Sequence, residues 1–422
     1  MTKTRYMIRL VSALALVLGL ASTGAMAQSA PIVRSAGSQT EVVFSEQISA
    51  EGISRLETAR LVGAVEMVGS PSATEVALEQ IIRVNTRRQA EARERALEYQ
   101  ATLARSGDIV VIESAASSWG NRMRGISITY RVTVPARIET DLQTAGGSID
   151  LSGLAADAKA RTSGGSIRTE SHRGALDLQT SGGSISVKMV DGAVDVSTSG
   201  GSISLEDITG SVSGSTSGGS ITVSSVEGEV AVQTSGGSVR ADGVLGNFSG
   251  RTSGGSIQVR EMGADVSVRT SGGRIRADRV GGQFEGRTSG GSISLDDMAG
   301  SVVAHTSGGS IEITNVQGSD VEAHTSGGDV SVDFTPQTVV ARVDLDSSGG
   351  DIELALPAQT RGTFDVALYR RSRSSSDTIT TAFDVPITYA RDGQTVLMQG
   401  GDGPAQIRVR TRDGDIDIRK RG

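Results

Sequence analysis

Residues 198–221 read TSGGSISLEDITGSVSGSTSGGSI, and the six-residue motif that opens the stretch at Thr198 closes it again from Thr216. The same motif or a close variant begins at Thr144, Thr162, Thr180, Thr198, Thr216, Thr234, Thr252, Thr270, Thr288 and Thr306, nine successive equal steps of one 18-residue period. A further copy starts one residue late at Thr325; others follow at Ser347 and, as Thr-Arg-Asp-Gly-Asp-Ile, at Thr411. A fixed period of this length is the signature of a repeat architecture.

Within the unit, Ile203, Leu205, Ile208 and Val212 are answered one period later by Ile221, Val223, Val226 and Val230, with Val232 beyond. Pairs such as Ile221/Val223 and Val230/Val232 alternate with polar residues, which is strand periodicity. Gly-Gly on one side and a lone glycine such as Gly210 or Gly228 on the other mark corners, where glycine supplies positive φ. Each unit therefore reads as two short strands and two turns. Such a unit buries too few aliphatic side chains to offset the entropy of ordering its own backbone, so it must stack on its neighbours. The expected fold class is all-β: a single-stranded parallel β-solenoid with an 18-residue coil, right-handed because parallel crossovers favour that hand. At ~4.8 Å per coil, a dozen coils make a rod on the order of 55–60 Å long. A left-handed triangular helix is also compatible with an 18-residue turn, but it needs a six-residue sub-period that this sequence lacks. The threonine column (Thr198, Thr216, Thr234) falls in phase with the inward valines, predicting an internal ladder whose hydroxyls pass hydrogen bonds along the stack.

The flanks lack the period. Residues 1–27 carry Lys3, Arg5 and Arg9, then an uncharged apolar run from Leu10 to Leu20, then Ala25-Met26-Ala27, the pattern of a cleaved secretory signal peptide. Residues 28–135 read as a β-rich capping module. Strands are expected at 42–48, 54–68, 75–84, 108–113 and 124–134. A helix opens at Thr86, with Thr86 and Gln89 at capping-box spacing and Leu97, Ala101 and Ala104 on one face. A loop at 114–122 holds the sole Trp119. Residues 136–356 form the solenoid. Residues 357–422 form a C-terminal β region that closes it, with strands at 363–369, 383–389, 406–410 and 415–419 around a basic, serine-rich loop at 370–376. Both ends need covers, because an open coil exposes its core and an unpaired sheet edge.

There is no cysteine, so disulfides, thiolate metal sites and thiol nucleophiles are excluded. Removing Lys3, Arg5 and Arg9 from the 41 basic residues leaves 38 against 48 acidic ones. An acidic mature chain is a poor fit to nucleic acid, and aromatics at 3% leave little for base or sugar stacking. No stretch after the signal approaches the ~20 apolar residues of a membrane helix.

No nucleophile elbow, phosphate loop or zinc-protease helix is present, and no catalytic, cofactor-binding or metal-ligating residue is assigned. The one candidate binding feature is a column of equivalent repeat positions, Arg251, Arg269, Arg287, His305 and His324, suited to an acidic glycan or a lipopolysaccharide phosphate. The two histidines fall one coil apart, where a metal would lack an evident third ligand; Asp346, before the next motif, is the nearest candidate. Glu206-Asp207 and Asp296-Asp297 share a repeat position with four coils between them, so they cannot converge on calcium. His172 lies in an otherwise apolar column, at a partly exposed corner.

The order of these pieces resembles a bacterial family of β-strand-repeat proteins of unassigned function known by the label "putative adhesin". The matching parts are the strand–helix–strand start ending in Tyr130-Arg131-Val132-Thr133-Val134-Pro135, the Thr-Ser-Gly-Gly-Ser-Ile repeats, and Gly400-Gly401-Asp402-Gly403-Pro404 leading to the copy at Thr411. The resemblance implies a solenoid at the cell envelope and brings no catalytic residues. The expected function is a non-catalytic, adhesin-like or scaffold protein, exported to the periplasm, cell surface or medium, presenting repetitive faces to a surface, glycan or protein. The alternative is a glycan-active β-helix enzyme of the polysaccharide-lyase kind, which would break the repeat locally to build a pocket; here the repeat runs unbroken from Thr144 to Thr306. Ice or crystal-face binding would need outward hydroxyl ladders, for which only the motif's serines qualify.

Overall fold

The computed structural model describes residues 30–59, 61–114, 123–372, 376–391 and 394–422; the expected signal peptide at 1–27 and Trp119 lie outside these. Among the described residues the chain is nearly all β, a solenoid of about 12 turns with about 18 residues per coil and a single helix. Each repeat gives one strand to each of two parallel sheets, as with Ile203–Ile208 and Val212–Thr216. Register is one period per coil: Ile203 pairs with Ile221 and Val212 with Val230. Equal repeat positions therefore superpose as columns, and the inward columns of Ile, Leu and Val are buried in one continuous core.

The corners are built differently from the expectation. The second glycine of each pair carries no positive φ. It is glycine because the coils touch there: a Cβ on Gly237 would lie 2.0 Å from the carbonyl oxygen of Gly219. The expected positive φ at the lone corner glycine occurs at Gly174 (+115°) and Gly192 (+154°) but not at Gly210 or Gly228. From Thr144 to Thr306 it falls instead on the ninth residue after the motif threonine, mostly a residue other than glycine: Ser171, Met189, Asp207, Ser225, Glu261, Arg279, Asp297 and Asn315. Each is skipped by the ladder, which pairs Glu206 with Ser224 and Ile208 with Val226 but leaves Asp207 out. This one-residue bulge shifts the strand's phase, so that Leu205 and Ile208 both point inward although three residues apart. A coil thus bends three times rather than twice.

The threonines are inward and buried, as expected, but they form no hydroxyl relay. Thr234 Oγ1 donates to the Gly219 carbonyl of the preceding coil (2.8 Å) and accepts from the Gly237 amide (3.3 Å), and the arrangement recurs along the column. The hydroxyl satisfies two backbone groups at a corner where no strand partner exists. In most coils the motif's second serine is likewise engaged, its Oγ accepting an amide of the next coil, as with Ser202 Oγ and Ser220 N at 3.3 Å.

At the N-terminal end, β1 (Ile32–Ala36), β2 (Gln39–Ser49), β3 (Arg55–Ala59), β4 (Ala64–Ser70), β5 (Glu75–Val84), α1 (Gln89–Leu97), β6 (Ala101–Ser106), β7 (Ile109–Ser114) and β8 (Ile126–Pro135) follow in order. β3 and β4 are a coil without the motif, stacked on Glu139–Thr144 and Ile149–Ser152. β7 and β8 return to lie outside that coil. β5, β2 and β1 then extend the sheet antiparallel, and α1 packs on them through Ala92 and Ala96.

The helix is shorter than expected. Its N-cap is Arg88, which makes no side-chain cap bond, and the Thr86–Gln89 capping box does not form. Ala101 and Ala104 belong to β6, where Ala101 and Leu103 are buried and Thr102 is exposed, a period of two. Buried polar side chains make this strand possible: Gln80 Oε1 accepts from the Ala101 amide and Glu46 Oε2 from the Leu103 amide, both at 2.8 Å. They serve as partners for an edge that no strand among the described residues covers.

The C-terminal end mirrors this plan. Ala405–Arg412 and Ile416–Arg421 form a last coil on Arg342–Ser347 and Ile352–Pro357. Gly362–Tyr369 and Ile379–Thr381, earlier in the chain, lie outside it. The expected strand at 383–389 is reduced to Ile387–Tyr389, because Pro386 has no amide to donate and the Val385 amide turns back to the Phe383 carbonyl (2.9 Å).

Candidate functional site

On the outer face of the sheet containing Val212–Thr216, one column runs in strict register: Arg251 pairs with Arg269, Arg269 with Arg287, Arg287 with His305, His305 with His324, and His324 with Asp346. The structure thus brings together all five residues of the candidate column. Like charges held one coil apart repel unless an anion intervenes. Arg287 has one, the Glu285 carboxylate two residues before it on the same strand face. Arg251 and Arg269 are exposed and have no ion-pair partner among the described residues. Beside the column lies a shallow groove of about 340 Å³, lined by Arg269, Arg287 and His305 and by Ser271, Ser289 and Ser307 at the adjoining corner.

The histidines end the basic run. Their rings stack with centroids 4.9 Å apart and 8° between planes. The residue that links them is Glu322, not Asp346: its Oε1 is 3.0 Å from His305 Nε2 and 3.9 Å from His324 Nδ1. Asp346 is paired with His324 in the strand ladder, but the carboxylates that reach the imidazoles are Glu322 and, 3.7 Å from His324 Nε2, Asp344. Asp344 is buried and flanked by Arg342 and Arg408. Burial holds the His305 imidazole below its ordinary pKa. Glu322 opposes this, and His324 and Arg287 reinforce it. Sequence reasoning missed Glu322 because its side chain becomes a neighbour of His305 only through the coil-to-coil register. The available signal was its i−2 relation to His324 on one strand face.

A second, longer groove of about 900 Å³ follows the leading edge of the same sheet from Asp157 to Val303. It is lined by small residues such as Ala193, Ser211 and Ala231 and by the carboxylates of Asp177, Asp195 and Glu229.

The other singled-out residues hold the coils together. Asp296 accepts from Thr314 Oγ1 (2.7 Å) and Asn315 Nδ2 (2.8 Å), bonds that pull its carboxyl below the usual range, and Glu206 pairs with Lys188 (3.2 Å). His172 is not at an exposed corner; it is 2% exposed, in ladder register with Val190. Neither ring nitrogen meets a partner at hydrogen-bond geometry among the described residues, and burial lowers its pKa against the weaker opposing pull of the nearby Ala175 and Gly174 backbone and Asp157. Among the described residues, no helix is long and apolar enough to cross a membrane.

Residues 194–419 match the family model described as Toastrack DUF4097. No curated protein matches the sequence. Among solved structures, the chain is similar to a "putative cell adhesion protein" from Clostridium sporogenes at 8% identity and a TM-score of 0.17, covering 90% of this chain and 99% of that one. It is similar also to "putative adhesins" from two Parabacteroides species. With that of P. distasonis it shares 11% identity and a TM-score of 0.29, over 60% of this chain and 96% of that one. With that of P. merdae the values are 11% and 0.28, over 60% and 95%.

Proposed function

The chain belongs to the Toastrack DUF4097 family, and we propose that it is an exported, non-catalytic envelope solenoid that holds an acidic polymer along the Arg251–Arg269–Arg287 column. The observation that carries this reading is the column itself. Three guanidinium groups repeat at one-coil spacing on an acidic protein, and among the described residues two of them have no carboxylate to neutralise them. A linear polyanion laid along the solenoid axis would supply the missing charge, and the groove beside Ser271, Ser289 and Ser307 gives it hydroxyl contacts. The candidate acidic residues of a lyase support the non-catalytic reading in another way, since Asp296 and Glu206 are engaged in bonds between coils. Export rests on the charged, apolar and small-residue pattern of residues 1–27. The division we propose with it is capping module 28–135, solenoid 136–356 and closing region 357–422, with 55–70 and 405–421 stacked as end coils.

The test is binding of immobilised polygalacturonate and lipopolysaccharide, with neutral dextran as control. The native protein is expected to bind one of the acidic polymers but not dextran, with affinity falling as salt rises. Arg251→Ser with Arg269→Ser should weaken binding at least tenfold. Equal binding by native and doubly substituted protein, or no binding to either acidic polymer at low salt, overturns the reading.

A further inference from the structure

We propose that His305, Glu322 and His324 form a site for a first-row divalent metal ion of the zinc class on the outer face of the solenoid. One donor atom from each residue lies within 4.8 Å of the other two. In a tetrahedral zinc site with bonds of ~2.0–2.2 Å, ligand atoms sit about 3.3 Å from one another. The Glu322 oxygen, at 3.0 Å from one imidazole and 3.9 Å from the other, already brackets that separation.

The backbone of the site is set by the ladder, which pairs His305 with His324 and Val303 with Glu322. What must move is small. Imidazole lone pairs lie in the ring plane, so two nearly parallel rings cannot point at one ion. Each must turn about its Cβ–Cγ bond, which an outward, half-exposed side chain is free to do. The ion then replaces the proton between His305 Nε2 and Glu322, and that proton moves to Nδ1. His324 would bind through Nδ1. Its Nε2 is buried without a hydrogen-bond partner among the described residues and faces the Asp344 carboxylate 3.7 Å away. A carboxylate behind a ligating histidine is the usual means of fixing its tautomer and raising its basicity. Two imidazoles and one carboxylate select zinc, copper or nickel over magnesium and calcium, which prefer oxygen ligands throughout. Three protein ligands leave a fourth position open to water or an anion, one coil from Arg287. The site stands independently of the polymer reading, since none of its ligands is an arginine of the column.

The chain makes the test clean, with no cysteine and only three histidines, of which His172 is buried. Untagged protein is titrated with zinc chloride by calorimetry, and its histidine ring resonances are followed by NMR. The expected result is one equivalent bound, with the His305 and His324 signals shifting and the His172 signal fixed. His305→Asn with His324→Asn should abolish binding, Glu322→Gln should weaken it at least tenfold, and Arg251→Ser should leave it unchanged. Circular dichroism confirms that the variants are folded. Binding that survives in the folded double variant, or zinc that shifts all three histidines or none, overturns the proposal.

Discussion

Replacing Gly237 by alanine tests the claim that backbone contact, and not φ, requires glycine at the second residue of the motif's Gly-Gly pair. The added Cβ would lie 2.0 Å from the Gly219 oxygen and 2.6 Å from the Ser220 nitrogen. Both are backbone atoms, so no rotamer change relieves the clash, and the two coils must part locally by more than ~1 Å out of a ~4.8 Å spacing. Overpacking of this kind costs ~1–3 kcal/mol. Displacing the Gly219 carbonyl also endangers its bond from Thr234 Oγ1 and the neighbouring Gly236 amide bond to Ser217 (3.0 Å). Each of those contributes about 1 kcal/mol, for a total of about 3–5 kcal/mol. Gly236 is the internal control. A Cβ there meets the Gly218 oxygen at 3.6 Å and the Ser217 oxygen at 3.7 Å, ordinary contacts, and no positive φ forbids it. Gly236→Ala should therefore lie within ~1 kcal/mol of the native protein, because lost unfolded-state entropy offsets minor crowding. Urea unfolding followed by circular dichroism compares the two. Hydrogen exchange at Gly219–Val239 reads local opening, since long repeat arrays need not unfold in one step. Equal losses for the two variants, or a neutral Gly237→Ala, would refute the reasoning.

Other expected outcomes follow from the same geometry. Thr234→Val keeps the shape of a side chain that is 2% exposed but strands the Gly219 carbonyl and Gly237 amide, so the urea midpoint should fall by an amount corresponding to ~1–3 kcal/mol. Met189 holds φ +54° with an exposed side chain; Met189→Gly should raise stability by about 1 kcal/mol, read from the same curve, because left-handed backbone costs an L-residue ~1–2 kcal/mol. His172 has its pKa lowered by burial, so the folded state resists its protonation. That contribution is intact above the unfolded value near ~6.5 and is lost as pH falls from there toward the folded pKa. His172→Leu, matching Leu154 one coil before, should flatten the loss of melting temperature between pH 7 and 5; an unchanged acid slope would assign it to other groups. Protease added to intact and then to permeabilised cells distinguishes surface display from a periplasmic location.

Because inward and outward positions alternate within a fixed 18-residue frame, the period, the two strands per coil, the buried threonines and the column from Arg251 to His324 could all be read from the sequence alone. Local pattern plus strict repetition is enough when every coil meets a copy of itself. The rest depended on which atoms approach across coils or around an end. The glycine contact, the bulge at Asp207, the carbonyl bonds of the threonines and Glu322 beside His305 are relations between residues on neighbouring coils, and composition does not reveal them. The ends were least legible. There β3 and β4 form a coil without the motif, and β6 is a strand where helical spacing was expected, because the buried Gln80 and Glu46, distant in sequence, supply its missing hydrogen-bond partners. A repeat is legible in one unit when its neighbours are identical; where the neighbours differ, only the folded chain determines who satisfies whose backbone.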